Sequence, residues 1–133
     1  MAESKEVKIA IDSNRYTDFA RGDARAIDVL QGATEIYIPI IVIAEQRAGF
    51  AVGTKREKNE RILTQFLNTD GVFVSVPDEQ TTFFYADVYL GLRKQGTTVP
   101  TNDIWIAALC LQHQLVLFTR DSDFEHIPQL VRI

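Results

Sequence analysis

The sequence predicts an α/β fold, a three-layer α/β/α domain around a mainly parallel sheet of four to five strands. Two observations predict it. Short β-branched, apolar runs alternate along the chain with longer segments whose apolar residues recur at helical spacing. Strands separated by helices need crossover connections, and such connections build parallel sheets covered by helices. At 133 residues the chain is sized for one domain, 1–133, with a single substantial core. No repeat, low-complexity tract or linker divides it, and the polar start, 1–6, is expected to be a flexible tail.

Residues 7–11 (VKIAI) form a short apolar run ending at Asp12, which suits a buried strand. Segment 15–31 has helical spacing broken near Arg21-Gly22-Asp23, so two short helices are expected. Residues 35–38 (EIYI) read as a second strand stopped by Pro39. The next segment, 40–52, opens β-branched, but Ala44, Ala48 and Ala51 among Glu45, Gln46 and Arg47 favour helix, with Pro39 at the first helical position. Segment 54–68 places Ile62, Leu63, Phe66 and Leu67 on one helical face. Residues 72–76 (VFVSV) make a third strand. Segment 78–94 is a helix closing before Gly96, its aromatics Phe83, Phe84, Tyr85 and Tyr89 read most simply as a core face, with a dimer contact as the alternative. Thr101 caps a further helix to about His113. Residues 115–118 (LVLF) are a fourth strand, and 130–133 a short fifth.

Composition bounds the function. Hydrophobic residues are 46% and charged residues 24%, ordinary for a soluble globular protein. The start, MAESKEV, lacks the apolar stretch of a secretory signal, and the longest apolar run, 36–44, is too short to span a bilayer. A lone Cys110 excludes an internal disulfide and fits a reducing cytoplasm, where the protein is expected. A net charge of −4 opposes a general nucleic-acid coat. It does not oppose a cleft in which acids gather around a cation.

Four acids are expected to meet. In an open parallel sheet, ligands bind beyond the carboxyl ends of the strands. Asp12 directly follows the first strand and Asp121 emerges after the fourth. Asp103 opens the helix that leads into the fourth strand and therefore begins at the same edge. Glu45 lies about 9 Å along its helix, at a rise of 1.5 Å per residue. Packed carboxylates repel unless protonated or bridged by a cation. Oxygen ligands without clustered Cys or His point to Mg²⁺ or Mn²⁺. One or two such ions would orient and acidify a water for attack on a phosphodiester. Each acid also has an ordinary explanation. Asp12, Asp121 and Asp123 suit turns or caps, and Asp103 complements a helix dipole. Glu45 is harder to dismiss, since it interrupts the most apolar part of the chain.

The segments IAIDSNRYTDF, IPIIVIAEQRAGF and TNDIWIAALCLQHQLVLFTRDSDF, in this order, resemble the three characteristic blocks of PIN-domain proteins. The last matches at nearly every characteristic position: Asn-Asp, the Ile-Ala-Ala helix, the apolar strand, then Thr-x-Asp-x-Asp-Phe. The short single-domain form looks most like the VapC-type toxins of type II toxin–antitoxin pairs. The resemblance implies a Mg²⁺- or Mn²⁺-dependent endoribonuclease acting on RNA, usually a homodimer, silenced by a cognate antitoxin protein. It carries the acidic positions onto Asp12, Glu45, Asp103 and Asp121, with Asp123 as a further acid near the metal. Ser13, Asn14 and Thr119 match supporting polar positions that orient carboxylates. Ser13 stands where threonine is more frequent, and Arg15-Tyr16 where many relatives are aliphatic. Segment 52–99 matches only in pattern.

Arg15 and Arg120, each beside a proposed ligand, are the better candidates for phosphate contact. Lys55, Arg56, Lys58 and Arg61 interleave with Glu57 and Glu60 and read as a solvated mixed-charge face. His113 and His126 would permit a metal-free acid–base cleavage, but His113 closes a helix, where a cation needs no catalytic reason. Cys110, Trp105 and Phe124 read as core. A haloacid-dehalogenase-like phosphatase would need a second Asp where Asn14 stands, and a receiver domain an acidic pair and a late lysine that are missing. A catalytically silent PIN-like binding module is the remaining alternative.

Overall fold

The computed structural model describes residues 6–133, so the tail expected over 1–6 lies outside them apart from exposed Glu6. Four strands, β1 (Lys8–Ile11), β2 (Glu35–Pro39), β3 (Val72–Ser75) and β4 (Val116–Phe118), form one sheet in the order β3-β2-β1-β4. Every neighbouring pair is parallel. Six helices complete the three layers: α1 (Ser13–Ala20), α2 (Ala24–Gln31), α3 (Ile40–Val52), α4 (Arg56–Leu67), α5 (Thr81–Gln95) and α6 (Thr101–His113). A 3₁₀ turn, η1 (Ser122–His126), follows β4.

Strand β1, most of β4 and α6 are apolar because both their sides are covered. Ile9, Ala10, Ile11, Leu117 and Phe118 are fully buried, and so are Ile106, Ala107, Ala108 and Leu109. Tyr16, Leu63, Val88 and Phe124 extend the same core. Cys110 is buried within it, as expected. Trp105 is only half-buried and packs its ring 4.5 Å from Tyr85.

Local rules explain most boundaries. The break between α1 and α2 falls at Gly22, whose φ of +84° suits the one residue without a Cβ. Asp23 then caps α2 by accepting the N–H of Ala26 at 2.9 Å. Gly96, in the left-handed region, closes α5. Pro39 belongs to β2 and is the N-cap of α3, one residue earlier than expected, so strand passes into helix without a loop. Thr101 is the first residue of α6 and not its cap; Pro100 holds that place with no side-chain bond.

Two expectations fail on packing. The fifth strand reduces to a single bridge between Leu117 and Arg132, although Leu117 N–H to Val131 O (2.9 Å) and Thr119 N–H to Ile133 O (3.2 Å) still tie that segment to β4. The aromatic face of α5 is core only in part, with Tyr85 packed against the core and Phe84 half-buried. Phe83 and Tyr89 are 61% and 48% exposed, because Thr81, Val88 and Leu92 make the inward contact instead. The basic residues of α4 are solvated, and its Glu60 takes a fork from Arg47 of α3.

Leu117→Ala, at the fully buried centre of β4, is expected to lower the unfolding free energy by about 2–5 kcal/mol. Urea denaturation followed by circular dichroism measures it.

Candidate active site

The carboxyl ends of β1 and β4 lie side by side, Ile11 paired with Phe118. Beyond them the Asp12 N–H donates to the Phe118 carbonyl at 3.1 Å, extending the ladder by one step. Asp12 is 5% exposed and both its oxygens are engaged. Oδ1 accepts the N–H of Ser13 at 2.8 Å, and Oδ2 accepts the Thr119 hydroxyl at 2.7 Å. Thr119 is a hub: its Oγ1 also accepts the N–H of Asp121 at 3.0 Å and lies 3.5 Å from the Asn14 amide nitrogen. Of the supporting trio expected from sequence, Asn14 acts through Thr119 and the Arg120 N–H, while Ser13 and Thr119 bond to the acids directly. Ser13 does so twice, since its hydroxyl donates to Glu45 Oε1 at 2.8 Å.

Asp103, in the first turn of α6, is buried, and its Oδ2 has no hydrogen-bond partner. Asp103, Asp121 and Asp123 each offer one carboxylate oxygen, and these oxygens lie within 4.8 Å of one another. Asp121 also accepts the N–H of Asp123 at 2.9 Å, so it caps η1 as well as joining the cluster. Burial pushes the Asp103 carboxyl up to about 7, and the charges of Asp121, Asp12, Asp123 and Glu45 push in the same direction. Burial also raises Asp12, against the lowering effect of its bonds to Thr119 and Ser13. Asp103 thus feels the charges of all four other acids. The separations of 33, 58 and 18 positions between Asp12, Glu45, Asp103 and Asp121 collapse to one sheet edge.

Glu45 corrects the reasoning that singled it out. It is exposed, because the apolar run buries Val42 and Ile43 while Ala44 and Glu45 face outward. What holds it is polar: Ser13 on one oxygen, and the Asn102 amide 3.5 Å from the other. Arg15 and Arg120 stand near the acids, but both guanidinium groups are drawn to Asp18. Arg15 also lies over the Phe118 ring at 4.6 Å.

Three supporting residues were not anticipated. Asn102 precedes Asp103 and reaches Glu45. Gln46 donates to the Ser13 carbonyl and to Thr17 Oγ1, both at 3.1 Å, tying α3 to α1. Asp18 lies one helical turn beyond Asn14, a spacing that puts both on one face of α1. That spacing was the available signal.

A divalent cation fits this set. The donors are hard oxygens only, one buried carboxylate oxygen is unsatisfied, and the neighbouring acids destabilise the charged form of Asp103.

Residues 9–130 match the PIN domain family. This chain belongs to the PIN domain family. Ribonuclease VapC2 of Rickettsia felis is 28% identical over 108 residues, covering 79% of this chain and 78% of that protein. Plasmid stability protein StbB of Pseudomonas syringae pv. tomato is 30% identical over 127 residues, covering 86% of this chain and 88% of its own. The crystal structure of VapBC2 from Rickettsia felis, bound to a DNA fragment from its promoter, contains a chain that superposes with a TM-score of 0.82 at 23% identity. The match covers 96% of this chain and 98% of that one, and shows that the PIN fold is shared.

The raised Asp103 carboxyl has a signed consequence. Between its ordinary value of 3.8 and about 7, the folded protein keeps a proton that the unfolded chain has lost, so metal-free stability falls as pH rises through that window. Asp103→Asn removes this loss. In EDTA its Tm should match wild type near pH 4 and exceed it above pH 7. Differential scanning fluorimetry across pH checks this, and a lower Tm for the variant at pH 8 would contradict the electrostatic account.

Proposed function

We propose that the chain is a divalent-metal-dependent endoribonuclease, the toxin of a toxin–antitoxin pair. The observation that carries this reading is the cluster of Asp103, Asp121 and Asp123 around an unsatisfied buried oxygen, with Asp12 and Glu45 beside it. Family membership and the similarity to a VapC ribonuclease support RNA as the substrate. In this reading Asp103, Asp121 and Asp123 hold Mg²⁺ or Mn²⁺, and Asp12 and Glu45 complete the carboxylate set. Bound there, such an ion would supply Lewis-acid polarisation of a phosphoryl oxygen and a lowered pKa for the water that gives up a proton as it attacks phosphorus.

The protein's own groups do the rest. Thr119 and the Ser13 N–H keep Asp12 in one orientation, so its charge arrives preorganised. Glu45 is the exposed member, steadied by Ser13 and Asn102, and is the carboxylate open to take a proton from the attacking water. Asn14 fixes the backbone between Thr119 and Asp121 by accepting the N–H of Arg120 at 3.2 Å.

Partners follow from the same reading. Similarity to a chain in a VapBC2 structure supports a cognate antitoxin protein. The exposed α5 residues Phe83, Tyr89 and Leu90 support a homodimer, since such side chains gain by burial against a second copy. Among the described residues no helix is long and apolar enough to cross a membrane, and a cytoplasmic location suits the reading.

A catalytically silent binding module is the competing reading, and one experiment separates them. The purified protein is incubated with a mixture of structured RNAs in Mn²⁺, in EDTA, and as Asp12→Ala and Asp103→Ala. Cleavage in Mn²⁺ is expected to fall at least a hundredfold in EDTA and in either variant. Cleavage that survives EDTA would defeat the metal mechanism. No cleavage by wild type, with growth unaffected on expression, would favour the binding module.

A further inference from the structure

Helix α1 carries Asn14 and Asp18 one turn apart, and both reach the segment after β4, more than a hundred positions away. Asn14 takes the backbone N–H of Arg120. Asp18 takes the side chain of the same residue as a fork, Nε–H to Oδ2 and Nη2–H to Oδ1, each at 2.9 Å. The segment so gripped runs from Thr119, which holds Asp12, to Asp121, and leads directly into Asp123. We infer that Asp18 and Arg120 are positioning residues whose fork fixes this segment on α1 and so sets where the carboxylates of Asp121 and Asp123 stand for a divalent ion.

The inference rests on the metal site proposed above, and three features favour it over a phosphate-binding role for Arg120. Two parallel N–H···O bonds from a planar guanidinium fix orientation as well as distance, which a mobile phosphate contact does not need. Asp18 is sheltered, with only 19% of its side chain exposed, and Arg15 Nη1 reaches the same Oδ2 at 3.2 Å, so three bonds converge on one carboxylate. Arg15 is itself confined over Phe118 with its Nε buried and unpartnered, which leaves Asp18 little freedom to move away. Exposed ion pairs add little to global stability. The fork's effect should therefore appear at the loop and the ion more than in Tm.

The test uses the full chain and Mn²⁺ alone as ligand, with isothermal calorimetry on wild type, Arg120→Ala, Asp18→Asn and the double variant. Each single variant should raise the Mn²⁺ Kd about tenfold, the scale on which residues supporting metal ligands act. The double variant should be no worse than the weaker single. Hydrogen exchange at residues 119–123 should quicken, and RNA cleavage should lose kcat with KM unchanged. Asp18→Asn also takes the partner from Arg15, so if it unfolds, Arg120→Ala decides the matter, since that change leaves the Arg15–Asp18 pair intact. Unchanged Mn²⁺ affinity and unchanged exchange, with a raised KM for RNA, would make Arg120 a phosphate contact and overturn the inference alone. A wild type that binds no Mn²⁺ would overturn it together with the nuclease reading.

Discussion

The pairing of β1 with β4 is the constraint on which the site depends. The ladder runs through Ile9–Val116, Ala10–Leu117 and Ile11–Phe118, then one step further to Asp12. Side chains alternate along a strand, so a one-residue slip would turn Asp12 to the other face of the sheet and move Thr119 out of its reach. The register is secured by burial, since five of those six partners are almost wholly enclosed. A well-packed apolar centre thus determines the position of a polar site at its rim.

That rim is costly without a cation. Asp103 keeps an unbonded oxygen out of solvent, and a buried group left unsatisfied costs roughly 1–3 kcal/mol, more if charged. Domains of this kind are stable by only about 5–15 kcal/mol. Yet the acids are also part of the framework. Asp12 caps α1 and Asp121 caps η1, so the ordinary explanations of an Asp after a strand are true here as well. They do not explain why the capped ends converge. Local capping sets each carboxylate, and the topology gathers them.

The fold was largely legible because its signals are local. Apolar runs, Gly22 and Gly96, and the alanines of α3 each speak within one turn or one strand. The convergence of the acids was legible too, since parallel topology dictates which strand ends share an edge. What sequence did not show lies between residues distant along the chain. The Asp18–Arg120 fork joins positions 102 apart, and the Asn14–Asp18 spacing within α1 shows a shared face but not the partner. Phe83 and Tyr89 of α5 were misjudged because helical spacing places a residue on a face without saying which face turns inward. Glu45 was singled out on a wrong premise: the apolar run around it is only half enclosed.

The bonds between β4 and the segment after η1 bear on how the molecule is made. Thr119 has its N–H answered by Ile133, and Ile133 in turn donates to Leu117 at 3.0 Å. The residue that steadies Asp12 is thus itself steadied by the segment after η1. A nascent polypeptide already displaying Asp12, Glu45 and Asp103 has no finished centre, because the strand that aligns them has not been translated. The carboxylate set is therefore assembled only once β4 has docked on β1 and residues 131–133 on β4.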